Sequence, residues 1–184
     1  MGKEDDVFAR LGPALIDNTN AMPTESIGWR TPVRYDPTLL KKLITRHDAL
    51  QARVAALARD FHSNRAEAWR TARDCAAQLH ELRRAEALWL YPVLARGLAA
   101  DQAVWRQLVS LRFVMNGLAR RVLRSIDDLS AATRQATDIA APVGAVMKAL
   151  AEYRRRNEAE LYALYELMDP RAATPAKGAR SARK

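Results

Sequence analysis

The chain has 184 residues, of which 49% are hydrophobic and 28% charged, and its formal net charge is +9. This length predicts one domain with a core large enough to fold unaided. The composition excludes a collagen-like, disulfide-stapled or wholly disordered chain. The single cysteine, Cys75, excludes an internal disulfide, and no uncharged apolar stretch approaches the roughly 18 residues of a membrane span. The first residues lack an apolar signal core, so we expect a cytoplasmic protein that makes no membrane contact.

Residues 1–35 are predicted to form an irregular N-terminal arm. Glycine and proline interrupt the segment repeatedly, which is typical of turns and loops. Trp29 is expected to anchor the arm, because a fully exposed tryptophan is unfavourable.

Residues 36–169 have the composition of long helices. Asp36 followed by Pro37 is typical of a helix start, and glycine and proline are scarce from there to Pro170. The predicted helices are 37–63, 65–96, 101–130 and 140–168. Long helices joined by short loops predict an all-α, up-down-up-down antiparallel four-helix bundle.

Residues 170–184 are predicted to be a flexible basic tail. They carry five of the 30 basic residues and no acidic one, which leaves a net charge of only +4 on residues 1–169. Their Ala, Pro, Gly and Ser content cannot form a core. We expect this tail to contribute solubility, and the alternative is weak contact with nucleic acid or acidic partners.

Three of the four predicted core stripes are interrupted by polar residues. His47 lies on the first stripe, Glu86 on the second, and Tyr153 with Asn157 on the fourth. The second stripe is Cys75, Leu79, Leu82, Glu86, Trp89 and Val93, and the fourth is Val146, Leu150, Tyr153, Asn157, Leu161, Leu164 and Met168. Buried polar groups need partners, so the four residues are expected to meet at one level. This pattern leaves two interpretations open, a structural hydrogen-bonded cluster and a ligand or metal site.

Three segments together resemble the hemerythrin-like (HHE cation-binding) family. They are LITRHDAL around His47, LHELRRAEALWLYPVL at 79–94 and YRRRNEAELYAL at 153–164. The resemblance covers about residues 36–169. It implies two iron ions held between four helices by histidines and bridging carboxylates, with a role in carrying or sensing dioxygen or other small oxidants.

The resemblance also assigns ligand positions residue by residue. His47 matches the first-helix histidine of the family, and Glu86 matches the second-helix glutamate. The family's other ligand positions fall on Leu82, near Met115, and on Tyr153 and Asn157, or on Arg154 and Glu158 if the fourth helix is shifted by one residue. The chain has only three histidines, His47, His62 and His80, whereas such a centre needs about five imidazoles and two carboxylates.

The histidine count therefore predicts that the di-iron site is eroded. The leading hypothesis is a non-enzymatic regulatory or accessory binding module without a cofactor, which acts on an unknown protein partner as a monomer or homodimer. In this hypothesis His47 and Glu86 form a charge-assisted hydrogen bond, and Tyr153 and Asn157 complete the network. The sequence contains neither a nucleophile paired with a base nor a glycine-rich phosphate loop, so we do not expect an enzyme.

A second hypothesis keeps a metal, as a mononuclear or partial di-iron site for oxygen or redox sensing. Iron or zinc would be held by His47, Glu86 and Tyr153, with Asn157 or Glu158.

A third hypothesis is a nucleic-acid-associated protein. It depends on the basic tail and on a small basic patch formed by Arg120, Arg121 and Arg124.

Overall fold

The structure, a computed structural model, describes residues 34–135 and 138–171. These residues form helices, and no strand occurs among them. In chain order the helices are α1 (Leu39–Asp60), α2 (Arg65–Ala85), α3 (Tyr91–Leu98), α4 (Gln102–Gln135), α5 (Ala140–Arg156) and α6 (Ala163–Glu166). Two π-helical segments, π1 (Glu86–Leu90) and π2 (Asn157–Tyr162), join α2 to α3 and α5 to α6. The described residues therefore make four long helices, and none of these is long and apolar enough to cross a membrane.

The helix positions agree with the predicted ones to within a few residues, except that α4 continues to Gln135. The first helix begins two residues later than the Asp36-Pro37 pattern predicts, with Thr38 at its cap. Asp36 still organises this end, because its carboxylate accepts hydrogen bonds from the Thr38 backbone N–H and hydroxyl at 2.8 and 2.7 Å. Of the predicted arm, only residues 34 and 35 are described, and Trp29 and the tail beyond residue 171 lie outside the described residues.

The four long helices pack around one hydrophobic core. Helix α2 packs against α1 and α4, and α5 packs against the same two helices. The second and fourth long helices therefore face each other across the core. Polar side chains on the second and fourth long helices can therefore contact each other only at the centre of the core.

The two π-helical segments change which residues face the core. A π-helical turn accommodates one extra residue, so the stripe after it is shifted. Leu90 is fully buried, whereas Trp89 is 60% exposed. The prediction that Trp89 lies on the core stripe is therefore wrong.

The same shift occurs in the fourth long helix. Tyr162 and Tyr165 are buried, while the predicted core residues Leu164 and Met168 are only half-buried. Upstream of the π segments the predicted stripes are confirmed, including buried Cys75, Leu79 and Leu82 on the second helix.

Candidate functional site

A buried carboxylate lies at the centre of the core. Glu86 is the first residue of π1 and is 3% exposed. Its Oε2 accepts a hydrogen bond of 2.6 Å from the Tyr153 hydroxyl, and its Oε1 accepts one of 3.1 Å from the Asn157 Nδ2. The Tyr162 hydroxyl lies 3.5 Å from the same Oε1. All three donors belong to the fourth long helix, so these bonds link the two helices that face each other across the core.

The carboxyl of Glu86 binds its proton unusually tightly. Burial raises its pKa from 4.5 to about 7, and the hydrogen bonds from Tyr153, Tyr162 and Asn157 reduce the rise. Burial penalises the charged form, whereas a donor stabilises it, and here the first effect is larger. Glu86 therefore changes protonation near neutral pH.

The tyrosines around Glu86 remain protonated hydrogen-bond donors. Burial, followed by the nearby charge of Glu86, raises the pKa of both Tyr153 and Tyr162 well above 10. A tyrosinate beside a carboxylate in the core would place two negative charges together. The hydroxyls of Tyr153 and Tyr162 therefore stay protonated and donate hydrogen bonds to the Glu86 carboxylate.

His47 is buried near this network without joining it through a hydrogen bond. The imidazole is 1% exposed, and its ring centroid lies 5.5 Å from that of Tyr153. Among the described residues, neither His47 Nδ1 nor Nε2 has a hydrogen-bond partner. Burial, followed by the charge of Arg154, lowers the pKa of His47 from 6.5 to about 4. The predicted charge-assisted bond between His47 and Glu86 is therefore not formed; His47 contacts the Tyr153 ring, while the hydroxyl of that tyrosine binds Glu86.

The fourth helix adopts the register that turns Tyr153 and Asn157 inward. Asn157 is fully buried at the start of π2, and its Oδ1 has no partner within the described residues. Glu158 is exposed and accepts a hydrogen bond of 2.8 Å from Arg154 Nε. The alternative register, with Arg154 and Glu158 in the core, does not occur.

The donor set around Glu86 does not fit a pair of iron ions. Leu82 and Met115, which take the places of family histidines in the resemblance, are buried apolar residues. His62 and His80 are exposed. Over residues 34–135 and 138–171, no three His, Cys, Asp or Glu side chains are grouped as metal ligands. One imidazole and one carboxylate are too few for two ions that each need several nitrogen or oxygen ligands.

Tyr162 is the member of the network that the sequence analysis missed. Nine residues separate it from Tyr153, which is not a multiple of the helical repeat. It reaches the core only because π2 adds a residue to this turn. The similar motifs RRAEA, at 83–87, and RRNEA, at 155–159, each contain the first residue of a π segment. They are the one feature of the sequence that could have indicated where the α-helical repeat is interrupted.

The three arginines of the predicted basic patch have different surroundings. Arg120 and Arg124 are exposed on α4. Arg121 is also exposed, but its Nη1 lies 2.9 Å from the Glu152 carboxylate on α5, so its charge is paired.

Exposed apolar side chains provide a further surface feature. Trp89, Phe113 and Leu167 are 60%, 70% and 71% exposed. An open groove of about 450 Å³ lies between α4 and the C-terminal part of the fourth long helix, with Val114 and Leu167 in its lining. Exposed apolar surface of this kind is typical of contact sites.

Comparison with known proteins adds no relative: no family model, curated protein or solved structure matches the chain.

Proposed function

We propose that this chain is a non-enzymatic up-down-up-down four-helix bundle protein of hemerythrin-like descent. A hydrogen-bonded core replaces the di-iron centre, and the protein acts as a regulatory or accessory binding module. The observation that carries the proposal is that the Glu86 carboxylate is already hydrogen-bonded within the core. Both of its oxygens face donors of the same chain, Tyr153, Asn157 and Tyr162, which occupy the lone pairs that a metal would use.

The apolar residues beside Glu86 support the same proposal. Leu82 is one turn before Glu86, and Met115 lies on α4, and both are buried. In the family resemblance these positions carry imidazoles. Apolar residues there favour a role for Glu86 in holding helices together rather than in binding an ion.

Metal analysis tests the loss of the iron site. The untagged protein, expressed with added iron, is expected to contain less than about 0.1 metal ion per chain and to show no absorption band at roughly 320–600 nm. Treatment with a chelator should leave the melting temperature unchanged. One or two tightly bound ions per chain, with a lower melting temperature after chelation, would overturn the proposal.

A mononuclear metal site is the second candidate function, with a role in oxygen or redox sensing. It is favoured by three buried polar atoms without partners in the described residues, namely His47 Nδ1, His47 Nε2 and Asn157 Oδ1. Such atoms cost free energy unless something binds them. His47, Glu86, Tyr153 and Asn157 are the ligands this candidate requires, and Glu158 is turned away from it.

A comparison of variants separates the two candidates. If one ion is bound, the metal content of the purified protein should fall in both His47→Leu and Glu86→Gln, and should not change in His80→Leu. In the metal-free proposal all three variants have the same negligible content as the parent protein.

A further inference from the structure

The outer side of α4 carries a line of exposed residues that the core network does not use. Arg106, Phe113, Arg120 and Arg124 are all exposed. The first three are seven residues apart, which places them on one side of an α-helix. From Arg106 to Arg124 the line extends for about 27 Å at 1.5 Å per residue. We call these four residues the α4 stripe.

The first part of α4 is basic, and its acidic residues, Asp127 and Asp128, come one turn after Arg124. Residues 102–126 contain five arginines and no aspartate or glutamate. Within the described part of the chain, Arg106, Arg120 and Arg124 form no ion pair with an acidic side chain. Arg121, by contrast, is paired with Glu152. Arg106 and Arg120 therefore have no acidic residue within one turn on α4, whereas Arg124 lies next to Asp127 and Asp128 without forming an ion pair with either.

The centre of the stripe is apolar and open. Phe113 is 70% exposed between Arg106 and Arg120. Gly117 lies one turn further on, and a Cβ added there would meet no atom within 4 Å. A ligand can therefore approach the helix closely beside the phenylalanine ring.

Guanidinium groups and an exposed aromatic ring together suit one class of polyanion. Arginine binds phosphate oxygens through a planar fork of donors. An aromatic ring stacks on unpaired bases, and this contact tolerates any base sequence. A duplex keeps its bases paired, so it would engage the arginines but not the ring.

We propose that the α4 stripe binds the sugar-phosphate backbone of single-stranded nucleic acid with its three arginines and stacks a base on Phe113. This inference names a partner for the proposed binding module and rests on that role. Binding by the α4 stripe does not depend on the metal content of the core. A negative result in the binding assay can therefore be distinguished from a negative result in the metal analysis. We favour a single strand over an acidic helix as the partner. A helix would make only an apolar contact with Phe113, whereas an unpaired base can stack on the aromatic ring.

Fluorescence anisotropy of the full-length protein with labelled oligothymidine about 20 nucleotides long provides the test. The variant Arg106→Glu/Arg120→Glu/Arg124→Glu should bind at least about tenfold more weakly, and its salt dependence should decrease by about two in log–log slope. The matched control is Lys41→Glu/Arg46→Glu/Arg59→Glu. It makes the same change in net charge at exposed positions of α1. It should retain most of the affinity.

Substitutions of Phe113 test the stacking contact. Phe113→Tyr should retain binding, and Phe113→Leu should weaken it about fivefold or more, because leucine keeps apolar area but cannot stack. Circular dichroism should show that both variants fold, since the side chain lies in solvent.

Four outcomes would overturn the proposal. Equal weakening by the α1 and α4 charge variants would show that binding follows net charge alone. Full affinity in Phe113→Leu, or tighter binding of a duplex than of the single strand, would exclude stacking. Binding of poly-glutamate with the same dependence on the stripe would indicate an acidic protein segment as the partner.

Discussion

Folding of this protein at mildly acidic pH is expected to release a proton from His47 and to bind one at Glu86. In the folded state burial lowers the pKa of His47 from 6.5 to about 4 and raises that of Glu86 from 4.5 to about 7. At pH 5.5 the unfolded chain therefore has a charged imidazole and a charged carboxylate, whereas the folded core has both groups neutral. The net number of bound protons does not change, so these two residues together leave stability independent of pH between about 4.5 and 6.5.

Each residue alone produces a strong and opposite pH dependence. For His47 the unfolded state binds the extra proton between about pH 4 and 6.5, so the free energy of unfolding rises with pH in that range. For Glu86 the folded state binds it between about pH 4.5 and 7, so the free energy of unfolding falls with pH. Either pKa difference corresponds to about 3 kcal/mol, or about 1.4 kcal/mol per pH unit.

Two single substitutions separate these effects. Glu86→Gln leaves the His47 dependence, so stability should rise by about 3 kcal/mol relative to the parent protein from pH 4.5 to 7. Glutamine can accept from Tyr153 and, after rotation of the Asn157 amide, donate to the unpartnered Oδ1. His47→Leu should show the opposite slope, and the double variant should again resemble the parent protein.

Urea unfolding followed by circular dichroism, at pH values from about 4.5 to 7.5, measures these slopes. Differences between each variant and the parent protein cancel the contributions of all other titrating groups. Parallel pH profiles for the parent protein and both single variants would refute the reasoning, because they would show that neither group changes its pKa on folding.

Three further predictions concern the core. Leu90→Ala should cost about 2–5 kcal/mol and Trp89→Ala less than about 1 kcal/mol in urea unfolding; the reverse order would contradict the register set by π1. Tyr153→Phe should cost about 1.5–3 kcal/mol at pH 8, where Glu86 is ionised, and less at pH 5; an equal loss at both pH values would contradict the role of its hydroxyl. Burial raises the pKa of Cys75 to about 11, so a thiol reagent should modify the native protein at least about 100-fold more slowly than the unfolded chain.

Helical periodicity was sufficient to place the polar residues in the core. Steps of three and four residues put His47, Glu86, Tyr153 and Asn157 on buried faces, and all four are buried. Up to the π segments each turn follows the α-helical repeat, so angular position on the helix can be counted from the sequence. Beyond Glu86 the counting failed at Trp89, because the extra residue of π1 turns the following side chains by part of a turn.

The connections between the polar residues could not be predicted in the same way. Periodicity indicates the face of a helix but not which side chain on a facing helix lies closest. The Tyr153 ring lies against His47 while its hydroxyl donates to Glu86, so a ring contact and one hydrogen bond take the place of the expected direct bond between histidine and glutamate. The family resemblance gave the same four positions without their hydrogen-bond partners.

The placement of Glu86 and its donors on facing helices also has a consequence for the time course of folding. The donors follow the acceptor by 67 to 76 residues, so forming these bonds closes a long loop at an entropic cost, and we expect them to form late in folding. Contacts made after the rate-limiting step change the unfolding rate and leave the folding rate nearly constant. The central carboxylate should therefore govern how long the native protein persists rather than how quickly it forms.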